Sequence, residues 1–124
     1  MVGYVTLGSN DLERATAFYD ALLGELGASQ FMNDGRIVIW GKEMGAGMVA
    51  VCKPFDGGVA NVGNGVMVAL NAGSQDVVKM LHAKALELGG SDEGAPGPRG
   101  DGGFYGGYFR DLDGNKLCAF CFGG

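Results

Sequence analysis

Tyr4–Gly27, YVTLGSNDLERATAFYDALLGELG, is the stretch whose reading decides the fold. It opens with a short β-like run, Tyr4-Val5-Thr6-Leu7, and turns at Gly8-Ser9-Asn10. A helix follows, with apolar residues at helical spacing: Leu12, Ala15, Tyr19, Leu22, Leu23 and Leu26. Asn10 is the expected cap, with Glu13 as its capping-box partner, and Gly27 suits the left-handed residue beyond the helix end. At one constant offset the stretch recurs as Met67–Gly90, MVALNAGSQDVVKMLHAKALELGG, so that Val5 meets Val68, Leu7 meets Leu70, Leu23 meets Leu86 and Gly27 meets Gly90. The second copy has its own cap candidate, Ser74, and its own stripe, Val77, Val78, Leu81, Ala85 and Leu88.

A second echo lies downstream at a slightly longer offset. Met48–Cys52 aligns with Leu117–Cys121, matching Ala50 with Ala119 and Cys52 with Cys121. The remaining β candidates are Ala28–Met32, Arg36–Trp40, Met48–Lys53, Val66–Asn71, Phe104–Asp111 and Asn115–Phe122. Asn33-Asp34-Gly35 and Asp113-Gly114 are turn signals between them. Ser91–Gly103, with its prolines and glycines, reads as a loop. The chain is therefore expected to be α+β: two βαβββ modules in one domain, residues 1–54 and 65–124, joined by a linker over 55–64.

The totals agree with that division. At 124 residues the chain is one domain or two half-domains. Its 25 glycines fall in short clusters between β-like runs, which suits many tight turns rather than disorder. A net charge of −5 argues against nucleic acid and against an anionic membrane surface as partner. No apolar run approaches the length of a membrane helix, about 20 residues. Three cysteines without a secretory signal lead to the expectation of reduced thiols in the cytoplasm.

Several motifs are ruled out by their context. Gly45–Ala50 fits GxGxxA, but a β-like run and Pro54 follow where a dinucleotide loop needs a helix. Asp111–Asn115, DLDGN, lacks the spacing and the twelfth-position Glu of a calcium loop and reads as a hairpin turn. Cys118 and Cys121 have CxxC spacing, yet on a strand they point to opposite faces. The single histidine, His82, takes the place of Tyr19 in the second helix and reads as a packed residue.

Leu12-Glu13-Arg14 leading to Phe18-Tyr19 and Gly24, together with GAPGPR (Gly94–Arg99) and GFYGGYFRDLDGN (Gly103–Asn115), resembles the vicinal oxygen chelate superfamily. That superfamily includes glyoxalases, bleomycin-resistance proteins and extradiol dioxygenases, and the likeness is to its small bacterial glyoxalase-like subgroup. It covers nearly the whole chain and implies curved sheets forming a cup that holds the family's metal. The resemblance puts a His, a His and a Glu at positions occupied here by Tyr4, Met67 and Cys118, and it puts the position matching Cys118 in the first module at Val49. Those side chains are expected to share one cavity and to hold no metal, since divalent ions of this kind take imidazole and carboxylate donors. Met67 and Cys118 would suit only a soft ion such as Cu(I), or else they fill the space.

Thr6, Trp40, Tyr105 and Tyr108 are expected to line the cup as aromatic or polar contacts. Arg99 suits a carboxylate or phosphate, the alternative being a salt bridge to Asp101 or Asp111. The expectation is a protein without cofactor that binds a small organic molecule, as bleomycin-resistance proteins do. The alternatives are a metal-dependent lyase, isomerase or dioxygenase with an atypical site, and a ligand-free dimeric scaffold. The family's habit and the open sheet edges lead to the expectation of a homodimer.

Overall fold

The computed structural model describes residues 1–43 and 45–123; Met44 and Gly124, the last residue of the expected second module, lie outside that description. The chain divides into two compact units, Met1–Val62 and Gly63–Gly124. The first carries β1 (Tyr4–Gly8), α1 (Leu12–Gly24), β2 (Ser29–Asn33), β3 (Ile37–Gly41) and β4 (Met48–Cys52). The second carries β5 (Val68–Asn71), α2 (Gln75–Glu87), β6 (Ser91–Pro98), β7 (Phe104–Arg110) and β8 (Lys116–Phe122). The sheets run β1-β4-β3-β2 and β5-β8-β7-β6. In each, the first strand lies parallel to the last, and the other neighbours are antiparallel. The fold class is the expected α+β, with the same βαβββ topology twice.

Apolar spacing locates both helices, and their caps refine the reading. Leu12, Ala15, Phe18, Tyr19, Leu22 and Leu23 are buried on α1, and Val78, Leu81, His82 and Ala85 on α2. The cap of α1 is Asp11 rather than Asn10: its side chain accepts the Arg14 N–H at 3.1 Å. Asn10 is committed elsewhere, donating through Nδ2 to the Ala60 carbonyl at 3.0 Å and accepting the Ala60 N–H at 2.7 Å. Ser74 caps α2 as read, accepting from Val77 N at 3.3 Å. Asp11 and Ser74 occupy the same place in the repeat. After α1 the left-handed residue is Gly27, with φ +81°; after α2 it is Gly89, with φ +102°, not Gly90.

Ser91–Pro98 is a strand, not a loop. It pairs with β7 through register shifts between Asp92 and Gly94 and between Gly94 and Gly97. Two prolines and two glycines hide its periodicity, and an edge position with bulges tolerates them. The turn after β7 is a hairpin, as read. The buried Asp111 carboxylate accepts the N–H groups of Asp113 and Asn115, each at 2.9 Å, and the Asn115 amide at 3.0 Å. In the turn before β3, Asp34 accepts the N–H groups of Ile37 and Arg36, and these two bonds hold its carboxyl below the usual range.

Strand register corrects the second echo by one residue. Val5 pairs with Val49 and Thr6 with Ala50, while Val68 pairs with Leu117 and Ala69 with Cys118. Cys118 therefore corresponds to Ala50, and Val49 corresponds to Leu117. A slip of one residue exchanges the faces of a strand, so the matched alanines and cysteines of the echo lie on opposite faces.

The close approach of Gly90 generates a test of this packing. A Cβ there would sit 2.6 Å from the Arg110 carbonyl oxygen and 2.9 Å from that of Ala85, both backbone atoms, whereas a Cβ on Gly24 of α1 meets nothing. Gly90→Ala is expected to destabilise the protein by about 1–3 kcal/mol, and Gly24→Ala to stabilise it by about 0.4–1 kcal/mol. Urea denaturation of the two variants checks the opposite signs.

Candidate functional site

Each unit lays its helix against one face of its sheet, and strand alternation sorts the side chains accordingly. In the first unit Leu7, Val38, Trp40 and Val51 are buried on the α1 side. The Trp40 ring lies 5.5 Å from that of Tyr19, and its Nε1 donates to Asp20 at 2.7 Å. Trp40 thus belongs to the helix interface and does not join Thr6 on the other face. The second unit repeats the arrangement. Phe109 meets His82 edge-on at 6.3 Å, and Tyr105, two alternations away and paired with Cys121, shares the α2 side. Tyr105 likewise does not line the open face. His82 is buried, with Nε2 3.0 Å from Asp92 Oδ1. The Gly94 N–H and then His82 hold the Asp92 carboxyl below its usual range. This is a clamp between α2 and β6, in keeping with a packed histidine.

The open face of the first sheet is built in cross-strand rows: Tyr4 beside Met48, Thr6 beside Ala50 and Ile39, Gly8 beside Cys52 and Ile37. Ile37, Ile39 and Ala50 form a buried cluster with Met48 and Cys52 packed on it. Against this face lies a cavity of about 530 Å³, with Tyr4, Thr6, Ile37 and Cys52 on its floor and Arg36 and Phe55 in its wall. The Arg36 guanidinium lies 5.4 Å from the Phe55 ring centre and donates through Nη1 to the Lys53 carbonyl at 3.0 Å. A second cavity, about 510 Å³, opens at the start of α1 between Asn10, Glu13, Asn33 and Lys53, away from these rows.

On the second sheet the corresponding face carries Phe104, Tyr108, Cys118, Phe120 and Phe122. Phe104 stacks on Phe120 at 5.6 Å, and Phe122 meets both edge-on. Tyr108 is in register with Cys118. Two cations lie over the Tyr108 ring: Arg99 Cζ is 5.3 Å and Lys116 Nζ 5.4 Å from its centre. Arg99 also donates through Nη2 to the Ala95 carbonyl at 2.8 Å and through Nη1 to that of Pro98 at 3.3 Å. Among the described residues it pairs with neither Asp101 nor Asp111. Lys116 was not among the residues picked from the sequence, although counting back two from Cys118 puts it on the same face. Met67 is exposed and precedes β5.

Cys118 is fully buried, and burial pushes its thiol up against the opposing pull of the Tyr108 hydroxyl and the two cations. Burial, reinforced by Cys118, also raises the Tyr108 phenol. The donors at the family's metal positions are therefore a phenol, a thioether and a buried protonated thiol, and Ala50 supplies no fourth. Among the described residues no three His, Cys, Asp or Glu side chains form a group suited to a metal ion. This donor set does not fit the divalent centre that the resemblance implies.

Thiol burial gives a direct check. Cys118 and Cys121 are buried and Cys52 is half-buried; all three are free. Under native conditions a disulfide-exchange reagent at neutral pH is expected to titrate Cys52 first. Cys118 and Cys121 should lag by at least tenfold and react fully only in denaturant, as read by absorbance and peptide mass mapping.

The structure resembles several solved proteins. A glyoxalase/bleomycin resistance protein from Albidiferax ferrireducens T118 is 36% identical, with 97% of each chain covered and a TM-score of 0.87. A hypothetical protein from S. aureus is 26% identical over 97% of this chain and 91% of its own, with a TM-score of 0.72. A glyoxalase-related enzyme from Fulvimarina pelagi shares the fold at 24% identity and a TM-score of 0.75, over 97% of this chain and 86% of its own. No family profile and no curated protein matches the sequence. With the topology and strand registers above, the likeness to the A. ferrireducens protein along 97% of both chains assigns this chain to the glyoxalase/bleomycin resistance protein family.

Proposed function

We propose that this protein binds a small organic molecule on the open faces of its sheets, without the divalent metal centre found elsewhere in its superfamily. The observation that carries the reading is the cavity of about 530 Å³ on the first sheet, of the size that suits a small ligand. Its lining mixes apolar Ile37, Cys52 and Phe55 with polar Tyr4, Thr6, Arg36, Asp56 and Asn61. Contact with Ile37, Cys52 and Phe55 would bury apolar ligand surface, and the polar groups around them would orient the ligand. On the second sheet Cys118 and Tyr108, both kept neutral, and the cations over Tyr108 add a polar element among stacked phenylalanines.

A thermal-shift screen of small organic molecules tests this. A true ligand at a hundred times its Kd stabilises the fold by about 2.7 kcal/mol. Thr6→Trp, which fills the cavity floor, is expected to abolish that shift while leaving the unliganded protein folded. Zinc and nickel are expected to give no saturable shift. Saturable metal binding, or a screen in which no small organic molecule gives a saturable shift, would contradict the reading.

The proposed assembly is a homodimer. β2 is an edge strand of the first sheet, exposed along its whole length, and it presents Phe31 and Met32 to solvent. Unpaired edges with apolar side chains are surfaces that proteins cover. Light scattering at micromolar concentration is expected to give twice the chain mass, and Phe31→Lys to shift it toward the single chain.

A further inference from the structure

We propose that the second sheet carries an oxyanion subsite, formed by Arg99 and Lys116 astride Tyr108, which selects organic ligands bearing a carboxylate or phosphate. The proposal rests on the small-molecule reading above and adds the charge of the ligand to it.

The chain is acidic as a whole, with 14 acidic against 9 basic residues. Arg99 and Lys116 are both half-buried, and among the described residues neither makes an ion pair. The acids of the adjacent strand are already engaged. Asp92 is held by His82, and Glu93 by the Nε of Arg110. The two cations come to Tyr108 from the strands on either side of β7, Arg99 from just beyond the end of β6 and Lys116 from the start of β8. Both lie within about 5.4 Å of one ring centre. An anion beside this ring would meet positive charge from both.

The surroundings hold Arg99 in place. Two of its five N–H groups are fixed on the Ala95 and Pro98 carbonyls, which leaves three donors for a ligand in a preorganised fork. The backbone beneath it lies close: a Cβ on Gly94 would be 3.3 Å from Nη2, and one on Gly97 3.2 Å from Nη1. The Lys116 ammonium has three donors and no hydrogen bond among the described residues. Half-burial makes each charge-assisted bond to an incoming anion stronger than it would be on an open surface. The stacked Phe104 and Phe120 on the same sheet face offer apolar contact for the organic part of the ligand.

Two-dimensional amide NMR of the full chain tests the subsite with three probes of similar size: benzoate, phenyl phosphate and neutral benzamide. The expected result is saturable shifts at Arg99, Tyr108, Lys116 and Cys118 with at least one of the two anions and none with benzamide. The stronger of the two anions identifies the headgroup. Lys116→Gln, which removes no hydrogen bond from the fold, and Arg99→Gln are each expected to weaken anion binding about tenfold, the scale of one charge-assisted bond. Equal binding of benzamide at these residues, no shift there with either anion, or unchanged anion affinity in both variants would overturn the subsite. Benzamide shifts at Tyr4, Thr6 and Cys52 with none at Tyr108 from any probe would leave the small-molecule reading standing while the oxyanion subsite falls. Silence at both faces, with a negative ligand screen, would remove both.

Discussion

The parallel pairing of the first strand with the last, β1 with β4 and β5 with β8, is the constraint on which each unit depends. Two parallel neighbours cannot be joined by a tight turn, so the chain must leave the sheet and return. In each unit the helix follows the first strand at once, and two antiparallel strands complete the sheet before the last strand enters beside the first. The last strand becomes an inner strand with neighbours on both sides. Its residues are then strictly sorted by face, one set against the helix and one set on the open side. Every assignment of a side chain to packing or to ligand follows from that sorting.

The helix faces of the two units have kept the same construction with different chemistry. Tyr19 and His82 hold the same place in the repeat, and each meets an aromatic residue of the third strand in its unit, Trp40 and Phe109. A carboxylate anchors a polar atom of each pair, Asp20 on the Trp40 indole and Asp92 on the His82 imidazole. Buried polar atoms need such partners, and here the partners also tie the helix to a strand. The open faces have diverged further: an aliphatic floor beside Tyr4 and Thr6 on the first sheet, and a row of aromatics with two cations on the second. Membership of the family fixes the frame, and the chemistry of the open faces belongs to this chain's own residues.

Much of this was legible in the residues themselves. The periodicity of Leu12 to Leu23 and of Val78 to Ala85, the cap at Ser74 and the left-handed Gly27, the turns at Asn33–Gly35 and Asp113-Gly114, and the repeat together specify α+β and the βαβββ order. Apart from the repeat, these signals are local: each depends on residues within a turn or two of one another. For the same reason Arg99, Tyr108 and Cys118 could be singled out, but not brought into contact, before the strands were paired.

Tertiary structure decided the rest, and the reason is register. Whether Ala50 or Val49 corresponds to Cys118, and whether Trp40 and Tyr105 face a ligand or a helix, turns on one-residue shifts between strands far apart in sequence. Composition cannot fix such a shift when both faces of a strand are apolar, as they are in IVIWG and KLCAFC. The strand Ser91–Pro98 was invisible for a related reason: its hydrogen bonds to β7 are made by backbone that its own prolines and glycines disfavour, and only the partner strand supplies the order. The same pairing brings Arg99 to the ring of Tyr108, where Lys116 arrives from the other side. The sequence alone determined which elements form and in what order. The faces, and so the site, were decided by hydrogen bonds between strands that only the folded sheet aligns.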